Sequence, residues 1–218
     1  MRHFMPNLQA THNTIFIDST HGRTGLCDIG AEMNTDKSPF SLESACCRHR
    51  KGYTAVYEML LSPLRGKKIN FLEIGIEAGA SIRMWERYFT HADLFAFEYF
   101  QEKIDHCSKL VTKTKILKTD AGSKEALDET FRAAGASFDV VIDDSSHELE
   151  HQRNIIATAP KYIKSGGVLI IEDLYRNDPE DIFDGVIEDH FSFSTFVICH
   201  HDNRVCENND KLWYGVRK

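Results

Sequence analysis

The sequence has little that would tie it to a membrane, an export route or a nucleic acid. None of its apolar runs approaches the roughly 20 residues a bilayer span requires. The opening stretch, MRHFMPNLQATHNTIFIDSTHGRTG, lacks a basic segment followed by an apolar one, so no secretory leader is expected. Basic residues are outnumbered, 26 against 33 acids, for a net charge of −7. That balance argues against a chain whose main task is gripping a phosphate backbone. The six cysteines (Cys27, Cys46, Cys47, Cys107, Cys199, Cys206) form no C-x-x-C pair. A zinc ribbon and a dense disulfide framework are thereby set aside, and reduced thiols in a cytoplasmic protein are expected. No internal repeat and no low-complexity tract is present. What remains is an ordinary soluble composition, 42% hydrophobic and 27% charged over 218 residues. It is enough for one domain plus an extension, and it leaves a homo-oligomer open.

Residues 1–40 carry no clear period and read as loop with one short helix. YTAVYEMLL (53–61) has apolar residues at helical spacing and is closed by Pro63 and Gly66. From Lys68 the rhythm changes. INFLEI (69–74), DLFAFEY (93–99), TKILKT (114–119), FDVVIDD (138–144) and VLIIEDL (168–174) read as strands. Helices are expected between them over 81–89, 101–111 and 123–135, and from about 145 to 163, the last stopped by Ser165-Gly166-Gly167. This alternation predicts a parallel sheet covered on both faces. STFVICHHD (194–202) and KLWYGVRK (211–218) are joined by a polar loop too short for a crossover helix, so they should pair antiparallel. The expected fold is α/β and Rossmann-like, with a seven-stranded, mostly parallel sheet ending in an antiparallel hairpin. Residues 1–66 form a loop and helix extension, a possible lid, and 67–218 the ligand-binding domain.

Ligands of such sheets sit at the carboxyl ends of the strands. The first strand runs into LEIGIEAGAS (72–81), where Gly75 and Gly79 permit a tight turn and close backbone approach. The pattern is not G-x-G-x-x-G, which counts against a nicotinamide dehydrogenase. Glu73 would repel a pyrophosphate but suits a cationic ligand such as a sulfonium amino acid. Glu98, ending the second strand, can accept from ribose hydroxyls, and Asp120, ending the third, from an adenine amino group. Either acid alone reads first as a solvated loop carboxylate; three acids at the ends of three successive strands read together as a site.

The fourth strand runs into Asp143-Asp144-Ser145-Ser146-His147 and the fifth into Glu172-Asp173. Carboxylates converging there would repel one another unless a cation sits among them. A hard divalent ion with oxygen ligands answers that need. Asp144, Glu172 and Asp173 are the candidate ligands for Mg²⁺ or Mn²⁺. His147, three residues past Asp144, is the candidate general base. Each feature alone also reads as a helix cap. His147-Glu148-Leu149-Glu150-His151 spells H-E-x-x-H, the zinc-protease signature. That motif needs both histidines on one face of an established helix, whereas His147 falls at a strand-to-helix junction.

NTDKS (34–38), LEIGIEAGASIRMWERYF (72–89), Glu98, VIDDSSHELEHQ (141–152), SGGVLIIEDLY (165–175) and KLWYGV (211–216) together resemble the class I S-adenosylmethionine-dependent methyltransferases. Within them the chain is similar to the metal-dependent sugar O-methyltransferases, such as the macrolide-sugar and rhamnosyl enzymes. The resemblance implies an S-adenosylmethionine- and Mg²⁺-dependent O-methyltransferase of a sugar or glycan hydroxyl. It implies cofactor contacts at Glu73, Gly75, Gly79, Ser81, Glu98, Asp120, Ala121 and Asp143. It places metal ligands at Asp144, Glu172 and Asp173 and the base at His147, and gives His151 no role. The sequence departs from the family pattern at Glu98, where Asp is usual, and at DAGS (120–123). It departs again where the His-Tyr pair that follows T-D-K is spread out as His49 and Tyr53. A catechol or other diol as acceptor, and a non-catalytic S-adenosylmethionine-binding protein, are the alternatives.

Overall fold

The computed structural model describes residues 14–42, 49–187 and 190–218. The first thirteen residues of the extension, and Cys46 and Cys47, lie outside them. Eight strands form one sheet: β1 (Thr14–Asp18), β2 (Asn70–Ile74), β3 (Asp93–Glu98), β4 (Lys115–Lys118), β5 (Phe138–Asp143), β6 (Ile163–Leu174), β7 (Phe191–His200) and β8 (Lys211–Arg217). Their order is β1-β7-β8-β6-β5-β2-β3-β4. The helices are α1 (Gly25–Met33), α2 (Tyr53–Leu61), α3 (Ala80–Tyr88), α4 (Gln101–Cys107), α5 (Lys124–Ala134) and α6 (Leu149–Thr158).

Strands β2 to β6 pair parallel, and β2, β3, β5 and the second half of β6 are buried on both faces, which explains their near-continuous apolar runs, while β4 is a half-exposed edge strand. Alternate side chains serve two cores. Phe71, Val140, Ile142 and Ile170 join Leu26, Tyr57, Met84 and Trp85 under α1, α2 and α3. Leu72, Val141, Leu169 and Ile171 join Leu127, Phe131, Ile155 and Ile156 under α5 and α6. The expected terminal hairpin is present: β8 lies antiparallel between β6 and β7.

Two expectations are corrected. Among the described residues the sheet has eight strands, not seven. TIFID, taken as loop, pairs parallel with β7 from Thr14↔Phe196 to Asp18↔His200. Its Ile15 and Phe16 are exposed, so the burial pattern that marks a strand is absent. The helix expected to reach residue 163 ends at Thr158, and the Ser-Gly-Gly stop belongs to β6 itself. Between Phe138↔Ile163 and Val140↔Val168 the register shifts, so Gly166 (φ +77°) and Gly167 sit in a bulge rather than a helix cap.

The chain runs outward through β2, β3 and β4, then returns to place β5 and β6 on the other side of β2. The switch point therefore lies between β2 and β5, where open α/β sheets hold their ligands.

Candidate functional site

A cavity of about 520 Å³ opens at that switch point, within the range of small-molecule sites. Its wall comes from the ends of four adjoining strands and the loops after them: Ile74 and Gly75, Glu98, Thr119 and Asp120, Asp144 and His147. Gly75 is forced by the geometry. Its φ is +88°, and a Cβ there would stand 2.1 Å from the Asp144 carbonyl oxygen. The β2 and β5 ends thus approach too closely for any side chain.

Several expected cofactor residues meet here. Ser81 opens α3 and donates to Glu73 Oε2 at 2.8 Å. Glu73 is fully buried behind it, and burial, opposed by the Lys37 charge, pushes its carboxyl up to about 7. Glu98 lines the cavity, but its Oε1 accepts from Tyr99 N and Phe100 N, and its Oε2 from Ile76 N at 3.1 Å. Oε1 is saturated by two N–H groups, so only Oε2 keeps a lone pair for a ribose hydroxyl. Asp120 and Ala121 line the far wall, with Asp120 Oδ1 accepting from Gly122 N. Gly79 caps α3 in the left-handed region, against Cys107. Asp143 is buried and accepts from Ser145 N and Oγ, so it shapes the turn after β5 rather than the cavity wall. Burial raises its carboxyl to about 6 despite those bonds.

The acidic cluster assembles as the sequence suggested, but with partners the sequence did not reveal. Lys37, 1% exposed, inserts its Nζ among Asp144 Oδ2 (2.5 Å), Glu172 Oε2 (2.7 Å) and Glu73 Oε1 (3.5 Å). Lys51, equally buried, pairs with Asp173. Tyr57 donates to Glu172 Oε1 at 2.5 Å and Tyr53 to Asp173 Oδ1 at 2.9 Å. Burial holds both phenols well above their ordinary pKa, so they remain donors. Burial alone would neutralise both lysines, yet the carboxylates around them outweigh it and keep them charged. Asp144 is driven the other way: the Lys37 charge and the His147 bond overcome burial and hold it well below the usual carboxylate range. Glu172 is pushed up, by burial first and then by the charges of Asp144 and Asp173, against the pull of Lys37.

His147 faces both aspartates, its Nε2 3.2 Å from Asp144 Oδ1 and its Nδ1 3.5 Å from Asp173 Oδ2. Burial lowers its pKa, but the Asp144 bond and the two aspartate charges prevail and raise it. His147 (φ +61°) and Asp173 (φ +62°) both sit in left-handed backbone, the strained conformation that recurs at functional sites.

Five carboxylates (Asp36, Glu73, Asp144, Glu172, Asp173) thus surround two ammonium groups. Burial raises the pKa of Asp36, Glu73 and Glu172, so the two ammonium groups hold the cluster while part of it keeps its protons. Donor atoms of Asp144, His147 and Asp173 lie within 4.8 Å of one another at the cavity wall. The two carboxylates of this set suit a hard divalent cation, with the imidazole beside them. Glu172, also expected as a ligand, stands one step back with each oxygen engaged, by Lys37 and by Tyr57.

The two H-E-x-x-H histidines do not converge. His147 precedes α6 and turns to the aspartates, while His151 lies within the helix and bonds Ser146. A zinc-protease site is therefore excluded. Lys37, Lys51, Tyr53 and Tyr57 were not expected from the sequence as site residues. The one available signal was the T-D-K segment (35–37).

A doubly wound sheet, a glycine turn in place of a phosphate loop, and acids at the ends of β2 to β6 together make a Rossmann-like methyltransferase fold. Residues 72–174 match the family described as "Methyltransferase domain". Among known proteins it is similar to 8-demethyl-8-(2-methoxy-alpha-L-rhamnosyl)-tetracenomycin-C 3'-O-methyltransferase of Streptomyces olivaceus, 32% identical over 56% of this chain and 32% of the relative. It is also similar to mycinamicin VI 2''-O-methyltransferase of Micromonospora griseorubida, at 29% over 56% and 31%. The matched segment spans about a third of the length of these curated relatives. The fold is shared with the MycE methyltransferase of mycinamycin biosynthesis, solved with Mg, SAH and mycinamycin VI. There the TM-score is 0.64 at 19% identity, over 90% of this chain and 55% of that one. Among the described residues no helix is long and apolar enough to cross a membrane.

Proposed function

We propose that the protein is an S-adenosylmethionine-dependent, divalent-metal-dependent O-methyltransferase acting on a sugar hydroxyl, free or carried on a glycoside. The observation that carries this reading is the convergence of Asp144, Asp173 and His147 at the wall of a cavity formed by the strand ends. When bound, the sulfonium donor supplies an electrophilic methyl group and the divalent cation acidifies the attacked hydroxyl. Gly75, Ser81, Glu98, Asp120 and Ala121 form the donor side of the cavity, with Glu73 behind Ser81. Asp144 and Asp173 hold the cation, and Glu172, fixed by Lys37 and Tyr57, supports them. His147 would take the proton from the acceptor oxygen as the C–O bond forms and the donor's methyl–sulfur bond breaks, releasing a neutral thioether. Thr35, Asp36 and His49 bring the N-terminal extension to the acceptor side. The relatives' names indicate rhamnosyl and macrolide-sugar acceptors, and we place the enzyme in the cytoplasm, its thiols reduced.

The experiment is methyl transfer from labelled S-adenosylmethionine to a panel of rhamnosyl glycosides and catechols, with and without EDTA. Transfer to the glycosides, abolished by EDTA and by His147→Ala while the variant still binds S-adenosylhomocysteine, is expected. Turnover that persists in EDTA defeats the metal assignment, and transfer to catechols alone defeats the acceptor assignment.

A further inference from the structure

The second histidine of the H-E-x-x-H run has its own environment. Ser146 Oγ lies 2.7 Å from His151 Nδ1 and also accepts from Glu148 N at 3.3 Å. The hydroxyl keeps its hydrogen and a second lone pair, and when it gives the hydrogen to Nδ1 it orients the ring. The imidazole proton then resides on Nε2. Nε2 faces the loop that closes the far wall of the cavity. A Cβ added at Gly122 would meet His151 Nε2 at 2.9 Å and Asp120 Oδ1 at 3.1 Å, so donor and carboxylate flank one point. One turn along α6, Asn154 Nδ2 donates to the carbonyls of Ala121 and Gly122, both at 3.2 Å. Asn154 thus holds the loop, and His151, three residues earlier on the same face of the helix, stands beside it with Glu148 Oε2 3.6 Å from its Nε2. His151, Asp120, Ala121 and Ser146 all line the cavity.

We propose that His151 is a positioning residue for the adenine end of the methyl donor, with Ser146 orienting its ring and Nε2–H standing beside the Asp120 carboxylate. A donor next to an acceptor matches the edge of adenine, which offers a ring-nitrogen acceptor beside an amino donor. Gly122 is small because the imidazole occupies the space a side chain would need. This assignment rests on the donor-binding role proposed above.

The test uses the full-length protein and S-adenosylhomocysteine as probe, with affinity measured by calorimetry and Tm measured without ligand. His151→Ala is expected to weaken binding about tenfold with little change in Tm. His151→Gln, which keeps a donor and an acceptor, should recover most of that loss. Gly122→Ala should weaken binding similarly and lower Tm, because the new methyl displaces the ring. The Gly122→Ala/His151→Ala double variant should then be no worse than His151→Ala alone, in affinity or in Tm. Unchanged affinity in His151→Ala, or losses that multiply in the double variant, overturns the assignment. If the wild type itself does not bind the probe, the proposed function and the adenine role fall together. The Tm comparison still decides whether His151 occupies the space beside Gly122.

Discussion

Removing the ammonium of Lys37 while keeping its apolar stem isolates the charge balance of the site, and Lys37→Met does so. The lysine is 1% exposed and holds Asp144, Glu172 and Glu73 together. Stripping one partner from a buried ion network costs about 3–5 kcal/mol, because the remaining charges lose their compensation. For a chain of this size that lowers Tm by roughly 6–20 °C. The loss should depend on pH with a definite sign. Glu73 already has a pKa raised to about 7 and Glu172 one raised above its ordinary value. Without Lys37 both rise further above their unfolded values, so the folded variant binds protons that the unfolded chain releases. Its stability is retained at low pH and lost as pH climbs through the folded pKa values. The deficit against wild type is therefore smaller near about pH 6 than near about pH 8. Because the variant pocket is more anionic, millimolar MgCl₂ should raise its Tm more than it raises that of wild type. Thermal scans at the two pH values, with MgCl₂ or EDTA, read all three effects. A variant within about 2 °C of wild type at both pH values, and indifferent to magnesium, would falsify the view that Lys37 is the chief counter-charge.

Gly75→Ala adds a Cβ 2.1 Å from the Asp144 carbonyl at a φ of +88°. The expected loss exceeds about 4 kcal/mol, read by urea unfolding, and a loss near about 1 kcal/mol would contradict the close approach of β2 and β5. His147 should titrate above its ordinary 6.5 in EDTA-treated protein; magnesium should lower that value by drawing Asp144 and Asp173 away. Imidazole NMR follows it, and an upward shift on adding magnesium goes against the pairing. Cys27, Cys107 and Cys199 are buried, and burial followed by the Glu98 charge pushes the Cys107 thiol up to about 11. Iodoacetamide near about pH 8 should leave all three unmodified until urea is added; peptide mapping that finds Cys107 alkylated in folded protein contradicts its enclosure.

The central strands were legible because INFLEI, FDVVIDD and VLIIEDL are apolar on both faces, as a covered parallel sheet demands. The acids at their ends were legible because a strand end fixes where a side chain emerges. β1 was not, since its Ile15 and Phe16 are exposed and its partner, β7, lies far along the chain. Lys37 and Lys51 stayed hidden for a different reason. Lysine is almost always at the surface, and nothing local in T-D-K says that five carboxylates will close over it. The carboxylate surplus thus looked in sequence like a demand for metal alone, whereas the fold meets part of it with its own cations. The roles of His147 and His151 were separable in sequence because His147 falls at a strand-to-helix junction, and α6 begins only at Leu149.

The lysines and the acids they hold are remote in the chain: Lys37 reaches Asp144 across 107 residues and Glu172 across 135, and Tyr53 reaches Asp173 across 120. On the ribosome the cations emerge long before their counter-ions exist, and they stay hydrated until β5 and β6 have left the tunnel. Such distant closures are slow, so the interior of the pocket is among the last regions to dry. A fragment beginning at residue 67 would inherit the strand-end acids with neither ammonium, and salt or divalent ions in the refolding buffer would have to stand in for the missing first quarter of the chain.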